Sequence, residues 1–199
     1  MKNKIINIIG IVLIIAGIIL IGITGYRKYE TYQKQKALKE QFEKSMKDLG
    51  DNNKNKKEDE ASPDGRPVGQ DIKTIAMLVV PKLDLNVAVA ESVDMDVLKY
   101  AIGHFPNTAK PGQPGNFALA GHRNFTYAEF FKNLDKLEKG DDLIIRTKEQ
   151  EYKYKVTEKF IVDPDKVEVL DETKDATITL VTCTEGAKQR LIVKGKLEK

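Results

Sequence analysis

The chain has 199 residues, which is enough for one packed domain with attached segments but not for two full domains. Its single cysteine excludes an internal disulfide and leaves a free thiol. The net charge of +3 is unevenly distributed, because residues 1–70 carry a net +4 and residues 71–199 a net −1. The charge-balanced C-terminal part does not have the basic character typical of proteins that bind nucleic acid.

Residues 5–23 consist almost entirely of Ile, Leu, Val, Gly and Ala. A helix of that length spans about 28 Å, close to the roughly 30 Å hydrocarbon core of a bilayer. A cleaved signal peptide would have a shorter apolar region followed by a small-residue cleavage site, and no Ala-x-Ala pattern follows this one. We therefore predict a transmembrane segment at 5–25, preceded by a short tip at 1–4. Basic residues lie on both sides of it, so the positive-inside rule alone does not fix its orientation.

Residues 26–70 form a polar connecting segment. Its first half is rich in Lys, Glu, Gln, Ala and Leu and predicts a helix that ends near Gly50. Apolar positions are sparse in this helix, so we expect a solvated stalk and not a packed helix. The second half is rich in Asn, Lys, Glu and Asp and contains a Ser-Pro-Asp-Gly-Arg-Pro stretch, which is typical of a flexible linker.

Residues 71–199 are expected to form the folded domain. Short β-branched and alternating runs predict strands, and a Pro- and Gly-rich loop from 103 to 115 interrupts them. Two short helices are predicted, at 94–100 and, from the spacing of its aromatic residues, at 127–137. The predicted strands are 75–80, 87–90, 117–121, 143–147, 152–162, a less regular 167–170, 176–183 and a last one that begins at 190. This pattern indicates a mostly β fold, a closed barrel of seven or eight strands.

The single cysteine ends one of these strands. Alternation places Thr179, Val181 and Cys183 on one face of the strand, away from its more apolar face. If the strand forms a hairpin with the next one, Cys183 lies opposite Arg190, and a fixed guanidinium beside a thiol favours the thiolate. The alternative is that Cys183 is a small buried hydrophobic residue with no chemical role.

Cysteine catalysis also requires an acid/base, and the two histidines are the side chains suited to it near neutral pH. His122 follows a short apolar strand, on the face of the small residues Ala118 and Ala120. His104 lies in the Pro- and Gly-rich loop. The residues alone favour His122, because rigid elements position catalytic groups better than loops do.

These residues together resemble the sortase family. The resemblance is carried by Thr179-Leu180-Val181-Thr182-Cys183, by Arg190 after it and by Gly121-His122-Arg123 upstream. The stretch from Gly103-His104-Phe105-Pro106 to Gly115-Asn116 is similar to the loop that precedes the family's histidine strand. The resemblance covers 71–199 and includes the layout of N-terminal membrane segment, tether and domain.

The resemblance implies that Cys183 is the nucleophile, His122 the general acid and base, and Arg190 the cation that orients substrate and stabilises the oxyanion. It also implies that Thr182, Ala120 and the loop residue His104 lie at the substrate site. The implied reaction cleaves an LPxTG-like sorting signal between Thr and Gly and transfers the acyl group to an amine of the peptidoglycan precursor. The implied location is the cell membrane of a Gram-positive bacterium, with the N-terminus cytoplasmic and the domain outside.

Within the family the chain is most like class D. The segment 51–70 contains no aromatic residue of the kind found in the lid of pilin-assembling members, and the Cys-to-Arg loop is short. Neither a cofactor nor a metal is expected. Some family members bind calcium through loop carboxylates, but the spacing of the candidate carboxylates here matches no metal loop; these are Glu91, Asp94, Asp96, Asp141 and Asp142. The alternatives are a pilin-polymerising sortase, a thiol hydrolase and, outside enzymes, a membrane-tethered β-barrel that binds a ligand.

Overall fold

The computed structural model describes residues 2–50, 72–124 and 128–198. The chain begins with one long helix, α1 (Lys2–Gly50). Within the described residues, this is the one helix that is long and apolar enough to cross a membrane, and its most apolar 18-residue window has a mean hydropathy of 2.9. The predicted transmembrane segment therefore lies on a helix of suitable length and composition. The predicted flexible linker, 51–70, lies outside the described residues.

The rest of the described chain forms a closed barrel with one short helix, α2 (Met95–Leu98). Seven of its strands begin within two residues of predicted ones, because β-branched residues and turn residues mark them clearly. The eight strands are β1 (Thr74–Val80), β2 (Leu85–Ala90), β3 (Ile102–His104), β4 (Gly115–Ala120), β5 (Asp142–Arg146), β6 (Glu151–Val162), β7 (Ala176–Cys183) and β8 (Arg190–Leu197).

The strands follow one another around the barrel in the order β1-β2-β3-β4-β7-β8-β6-β5, and β5 closes on β1. The β2–β3 and β4–β7 pairs are parallel and the others antiparallel. The predicted fold class, a closed barrel of seven or eight strands, is confirmed. For the functional site, the important segment is β4-β7-β8, where three strands with different positions in the sequence become neighbours.

The barrel interior holds the main hydrophobic core. Strand alternation points Phe117 and Leu119 of β4, and Ile178 and Leu180 of β7, into this core, where each is at most 1% exposed. The residues between them therefore face the outside of the barrel. This fixes the side of the sheet on which Cys183 lies.

The sequence predicted a solvated stalk for the polar half of α1. This prediction is wrong, because the polar half packs against the barrel. Leu38 and Phe42 are each 2% exposed and lie in a second apolar cluster with Met77, Ala88 and Ala90. Nearer the N-terminus, the Lys34 ammonium lies 4.2 Å from the centre of the Tyr100 ring and 3.2 Å from its hydroxyl. The apolar stripe is narrow, and its partner is a distant part of the chain, so the helix sequence alone does not reveal the contact.

The helix predicted at 127–137 is wrong for its described part, 128–137. This part consists of turns followed by a single 3-10 helix, Leu134–Lys136. Four apolar residues, Ala128, Phe131, Leu134 and Leu137, are fully buried at intervals of three. Backbone N–H groups bond three residues back, as in Leu134 to Phe131 and Leu137 to Leu134. A strict spacing of three is that of 3-10 turns, whereas an α-helix mixes three and four.

Two further local predictions are wrong. The segment 167–170 is a 3-10 helix, Val167–Leu170, and not a strand. A closed barrel has no free edge with which such a segment can pair. The Pro- and Gly-rich loop is not wholly irregular, because its start forms β3 between β2 and β4. At Gly103 in this strand a Cβ atom would lie 2.2 Å from the Ser92 carbonyl oxygen, so the close packing requires glycine.

Candidate active site

Cys183 and Arg190 face each other across the β7–β8 hairpin. They are Cα partners in the antiparallel register, as predicted from the sequence. Such partners lie about 4.5–5.5 Å apart at Cα and project to the same side of the sheet. Both side chains are half-buried. A permanent positive charge therefore stands on one side of the thiol.

His122 lies on the other side of Cys183, beyond the end of β4. In the parallel β4–β7 register Ala118 pairs with Thr179 and Ala120 with Val181. β4 ends at Ala120, one residue before the predicted end, but its alignment with β7 continues. The Gly121 N–H donates to the Val181 carbonyl oxygen at 3.1 Å, which brings His122 to the level of Cys183.

Thr182 of β7 also binds the segment that carries His122. Its side chain is 2% exposed, and its hydroxyl donates to the Gly121 carbonyl oxygen at 2.8 Å. Both backbone polar groups of Gly121 are thus bound to β7. A Cβ atom at Gly121 would lie 2.7 Å from Phe131 and 2.8 Å from Ile102, so glycine is needed for this packing. The segment that presents His122 is therefore held tightly against the strand that presents Cys183.

The His122 ring is partly buried, and burial lowers its pKa from the usual 6.5 because the imidazolium loses hydration. Its backbone carbonyl oxygen accepts a hydrogen bond from the Phe131 N–H at 3.0 Å, so the chain beyond the histidine folds back on it. The neutral imidazole, which accepts a proton, predominates near pH 7.

Arg190 is held by the turn that joins β7 to β8. Its Nη1 group donates to the carbonyl oxygens of Gln189 at 3.2 Å and Ala187 at 3.4 Å. The turn itself is closed by the Thr184 N–H, which donates to the Gln189 carbonyl oxygen at 3.0 Å. The guanidinium is therefore positioned by a short, hydrogen-bonded loop.

The outer side of β4-β7-β8 forms a floor leading to the cysteine. Ala118, Thr179 and Ile192 are fully buried although they point away from the barrel core, so something covers them. The chain between β6 and β7, residues 163–175, lies over this side and bounds a cleft of about 450 Å³. The cleft is lined by Ile161, Val162, Lys166, Val169, Gln189 and Lys194, among others. Val162 is the β6 partner of Arg190, so the cleft lies beside the strand position of Arg190.

The sequence placed His104 in a loop, but it lies on β3, where its side chain is 1% exposed. Its Nδ1 lies 2.9 Å from the Glu91 carboxylate, and its Nε2 lies 3.1 Å from both the Ala109 carbonyl oxygen and the Thr108 hydroxyl. Both ring nitrogens therefore have protein partners. Of the two histidines, His122 is the one that the structure brings to Cys183.

Of the remaining candidate residues, Ala120 lies near the cysteine, whereas two of the carboxylates form ion pairs with lysines. Ala120 is half-exposed beside Val181 on the outer side, at the end of the floor nearest His122. Among the carboxylates considered for calcium, Asp141 pairs with Lys82 at 2.8 Å and Asp142 with Lys155 at 2.5 Å. Within the described residues no group of three or more His, Cys, Asp or Glu side chains is placed to hold a metal ion.

One structurally central residue was not identified as important from the sequence. Asn116 on β4 is 1% exposed and bonds to both β7 and the 163–175 segment. The available signal was a polar residue at an outward position of an otherwise apolar strand, but its partners are more than 50 residues away.

The arrangement combines three chemical capacities. A thiol is flanked by an imidazole that exchanges protons near neutral pH and by a cation suited to a developing oxyanion. A cleft lies next to the strand position of Arg190. These are the requirements for acyl transfer through a cysteine.

Comparison with known proteins agrees with this geometry. A model of the sortase domain matches residues 78–198. The chain is 36% identical to sortase SrtE1 of Streptomyces coelicolor over 140 residues, which are 61% of this chain and 40% of that protein. It is 35% identical to sortase A of Listeria monocytogenes over 128 residues, which are 63% of this chain and 57% of that protein. The matches thus span about half the length of these curated relatives.

A solved structure of a Clostridium perfringens sortase D5 transpeptidase is also similar. The TM-score is 0.62 at 36% identity, and the match covers 84% of this chain and 98% of that one. The family model covers more than half of the chain and includes Cys183, His122 and Arg190. The chain belongs to the sortase family.

Proposed function

We propose that this chain is a membrane-anchored cysteine transpeptidase that cleaves an LPxTG-like sorting signal between Thr and Gly and joins the new carboxyl end to a cell-wall amine. The observation that carries the proposal is the position of Cys183 between His122 and Arg190 on adjoining segments of β4, β7 and β8. Membership in the sortase family supports the reaction type.

In the first half-reaction, the proton of the Cys183 thiol passes to neutral His122, and the resulting thiolate attacks the carbonyl carbon of the Thr–Gly bond. The carbonyl π electrons move to oxygen, and the Arg190 guanidinium stabilises the resulting negative charge. When the tetrahedral intermediate collapses, the C–N bond breaks and the His122 imidazolium gives its proton to the departing glycine amine. The products are a free amine and a thioester on Cys183.

The second half-reaction reverses these roles with a new amine. The acceptor nitrogen attacks the thioester carbonyl carbon while neutral His122 removes its proton. The C–S bond then breaks, the thiolate leaves, and a new amide bond remains. We propose that the acceptor is an amine of the peptidoglycan precursor and that the signal-bearing partners are secreted proteins.

The cleft supports recognition of an extended apolar peptide. Ile161, Val162 and Val169 give it apolar walls suited to Leu and Pro side chains, and Gln189, the residue before Arg190, also lines it. We propose that Ala120 contacts the peptide near the scissile bond. Thr182 and His104, whose side chains are buried, are proposed to support the substrate site from behind by holding Gly121 and Thr108.

We further propose a class D sortase with its N-terminus in the cytoplasm and its barrel outside the cell. The six-residue turn 184–189 and the similarity to the sortase D5 structure support the class. The apolar half of α1 supports membrane attachment. The outward position of the barrel follows from the location of the proposed substrates.

The test uses the full chain in detergent micelles with a fluorogenic LPxTG peptide, with and without an oligoglycine or diamino-acid acceptor. We expect cleavage at the Thr–Gly bond and, with the acceptor, a ligated product seen by mass spectrometry. The Cys183→Ala and His122→Ala variants should fail to cleave while retaining the circular dichroism spectrum of the parent chain.

The alternatives give different results in the same experiment. Cleavage without ligation at saturating acceptor would identify a thiol hydrolase. Ligation to a lysine-containing pilin peptide in preference to the wall amine would identify a pilin polymerase. Cleavage that survives Cys183→Ala would overturn the cysteine mechanism, and binding of the peptide without any cleavage would indicate a binding module.

A further inference from the structure

Asn116 occupies an unusual position for an amide side chain. It lies on β4 at a position that faces the outside of the barrel, two residues before the floor residue Ala118, yet it is only 1% exposed. A buried amide without hydrogen bonds lowers the stability of the fold, so the hydrogen-bond partners of Asn116 determine its effect on stability.

The side-chain hydrogen bonds of Asn116 all cross to other elements. The Nδ2 group donates to the carbonyl oxygens of Val169 at 3.1 Å and Asp171 at 3.2 Å. The Oδ1 atom accepts from the Thr179 hydroxyl at 2.7 Å. The orientation of the amide is set by these partners, because the opposite one would place its oxygen against two carbonyl oxygens.

The segment that Asn116 holds, residues 163–175, forms one wall of the cleft. Val169 lines the cleft together with Val162 and Gln189, the residue before Arg190. The two ends of the 163–175 segment have other contacts, since Gln189 donates to the Asp163 carboxylate at 3.0 Å and the Thr173 and Thr177 hydroxyls lie 2.9 Å apart. Asn116 binds the middle of the segment, where it passes over the floor.

We propose that Asn116 is a positioning residue that fixes the 163–175 segment as the wall of the peptide cleft. Through two side-chain hydrogen bonds it sets the distance between this wall and the β4-β7-β8 floor, and so the width available to the peptide. It does not contact the reacting atoms. The inference rests on the proposed function for its effect on catalysis, whereas its effect on the segment is independent of that function.

The decisive variant is Asn116→Asp in the full chain. Aspartate has nearly the same shape and retains an oxygen for Thr179, but it replaces both N–H donors by an oxygen that faces two carbonyl groups. Loss of such bonds should increase amide hydrogen exchange at 167–171 about tenfold or more. The same loss should raise KM for the LPxTG peptide about tenfold, with kcat changed less than about twofold. The rate of Cys183 alkylation by iodoacetamide should remain at the parent value.

Thr179→Val is the matched control. It removes a hydroxyl from the same buried cluster but leaves both Asn116 donors in place, so exchange at 167–171 should stay near that of the parent chain. Equal exchange increases in the two variants would overturn the proposal, because they would show general loosening of the cluster. Unchanged exchange in Asn116→Asp, or a fall in kcat with KM unchanged, would also overturn it.

If the aspartate variant does not fold, Asn116→Ala replaces it, since it removes the donors without adding a buried charge. If the parent chain fails to cleave the peptide, the proposed function is wrong, but hydrogen exchange still decides whether Asn116 holds the segment. The two failures are therefore distinguishable.

Discussion

Arg190 combines a charge that persists at every physiological pH with a planar group held by two carbonyl oxygens of the preceding turn. It lies directly across the hairpin from Cys183. A cation at this position is suited to stabilise the oxyanion of the proposed reaction. The proposed role of Arg190 thus depends on both charge and geometry.

We predict that Arg190→Ala lowers kcat by about 10²–10³, the usual cost of removing an oxyanion-stabilising group. Arg190→Lys should fall between this variant and the parent, because it keeps the charge but not the planar fork. The measurement is steady-state cleavage of the LPxTG peptide. Lys196→Ala, which removes a cation from the same strand, is the control and should retain parental activity. An Arg190→Ala rate within twofold of the parent would exclude the assigned role.

His122 gives a second prediction at the residue scale. Because burial lowers the pKa of its ring, NMR of the Cys183→Ala variant should show an imidazole titration centred below pH 6.5. The unfolded chain then takes up this proton more readily than the folded one. The histidine's effect on stability is therefore absent above the unfolded pKa and becomes destabilising as the pH falls below about 6.5.

The stability consequence can be measured separately. The urea midpoint of unfolding should be measured for the parent and His122→Gln chains between pH 7.5 and pH 5. As the pH falls, the midpoint should decrease less in the variant than in the parent. A titration centred above pH 6.5 would mean that a neighbouring carboxylate, and not burial, has the larger effect on the pKa of the His122 ring. It would also make the imidazolium, which is proposed to protonate the leaving amine, more abundant at neutral pH than this structure implies.

At the scale of elements, the strands could be predicted from the sequence and several connections could not. Local β-propensity marks the strands, including the hairpin register of Cys183 and Arg190. β3 was missed because it has three residues, one of them Gly103, and exists through pairing with β2 and β4. The segment Val167–Leu170 has strand-like residues, but every edge of the closed barrel is already paired.

The contact between α1 and the barrel provides a test at the same scale. Phe42→Ala should reduce the free energy of unfolding by about 3 kcal/mol, because Phe42 is nearly fully buried against β1 and β2. The measurement is chemical denaturation of the full chain in detergent micelles. Tyr29→Ala on the same helix, where the side chain is 61% exposed, should change it by less than about 0.5 kcal/mol. Equal midpoints for Phe42→Ala and the parent chain would show that the helix does not stabilise the barrel.

At the scale of the whole molecule, the layout and the candidate site were predictable for different reasons. An apolar stretch of membrane length and a polar segment after it are visible in composition alone. Cys183, Arg190 and His122 were identified by alternation and by a joint motif. The contacts that hold them, such as Thr182 with Gly121 and Asn116 with Val169, join residues far apart in sequence and required the fold.

The central claim is that Cys183 forms a thioester with the N-terminal fragment of a sorting-signal peptide. Intact-mass spectrometry of the full chain, mixed with an LPxTG peptide without an acceptor amine, tests it most directly. We predict an adduct equal to the peptide fragment that ends at Thr, located on Cys183 by tandem mass spectrometry and released by an amine or hydroxylamine. Peptide cleavage that produces no such adduct, or an adduct that persists in Cys183→Ala, would contradict it.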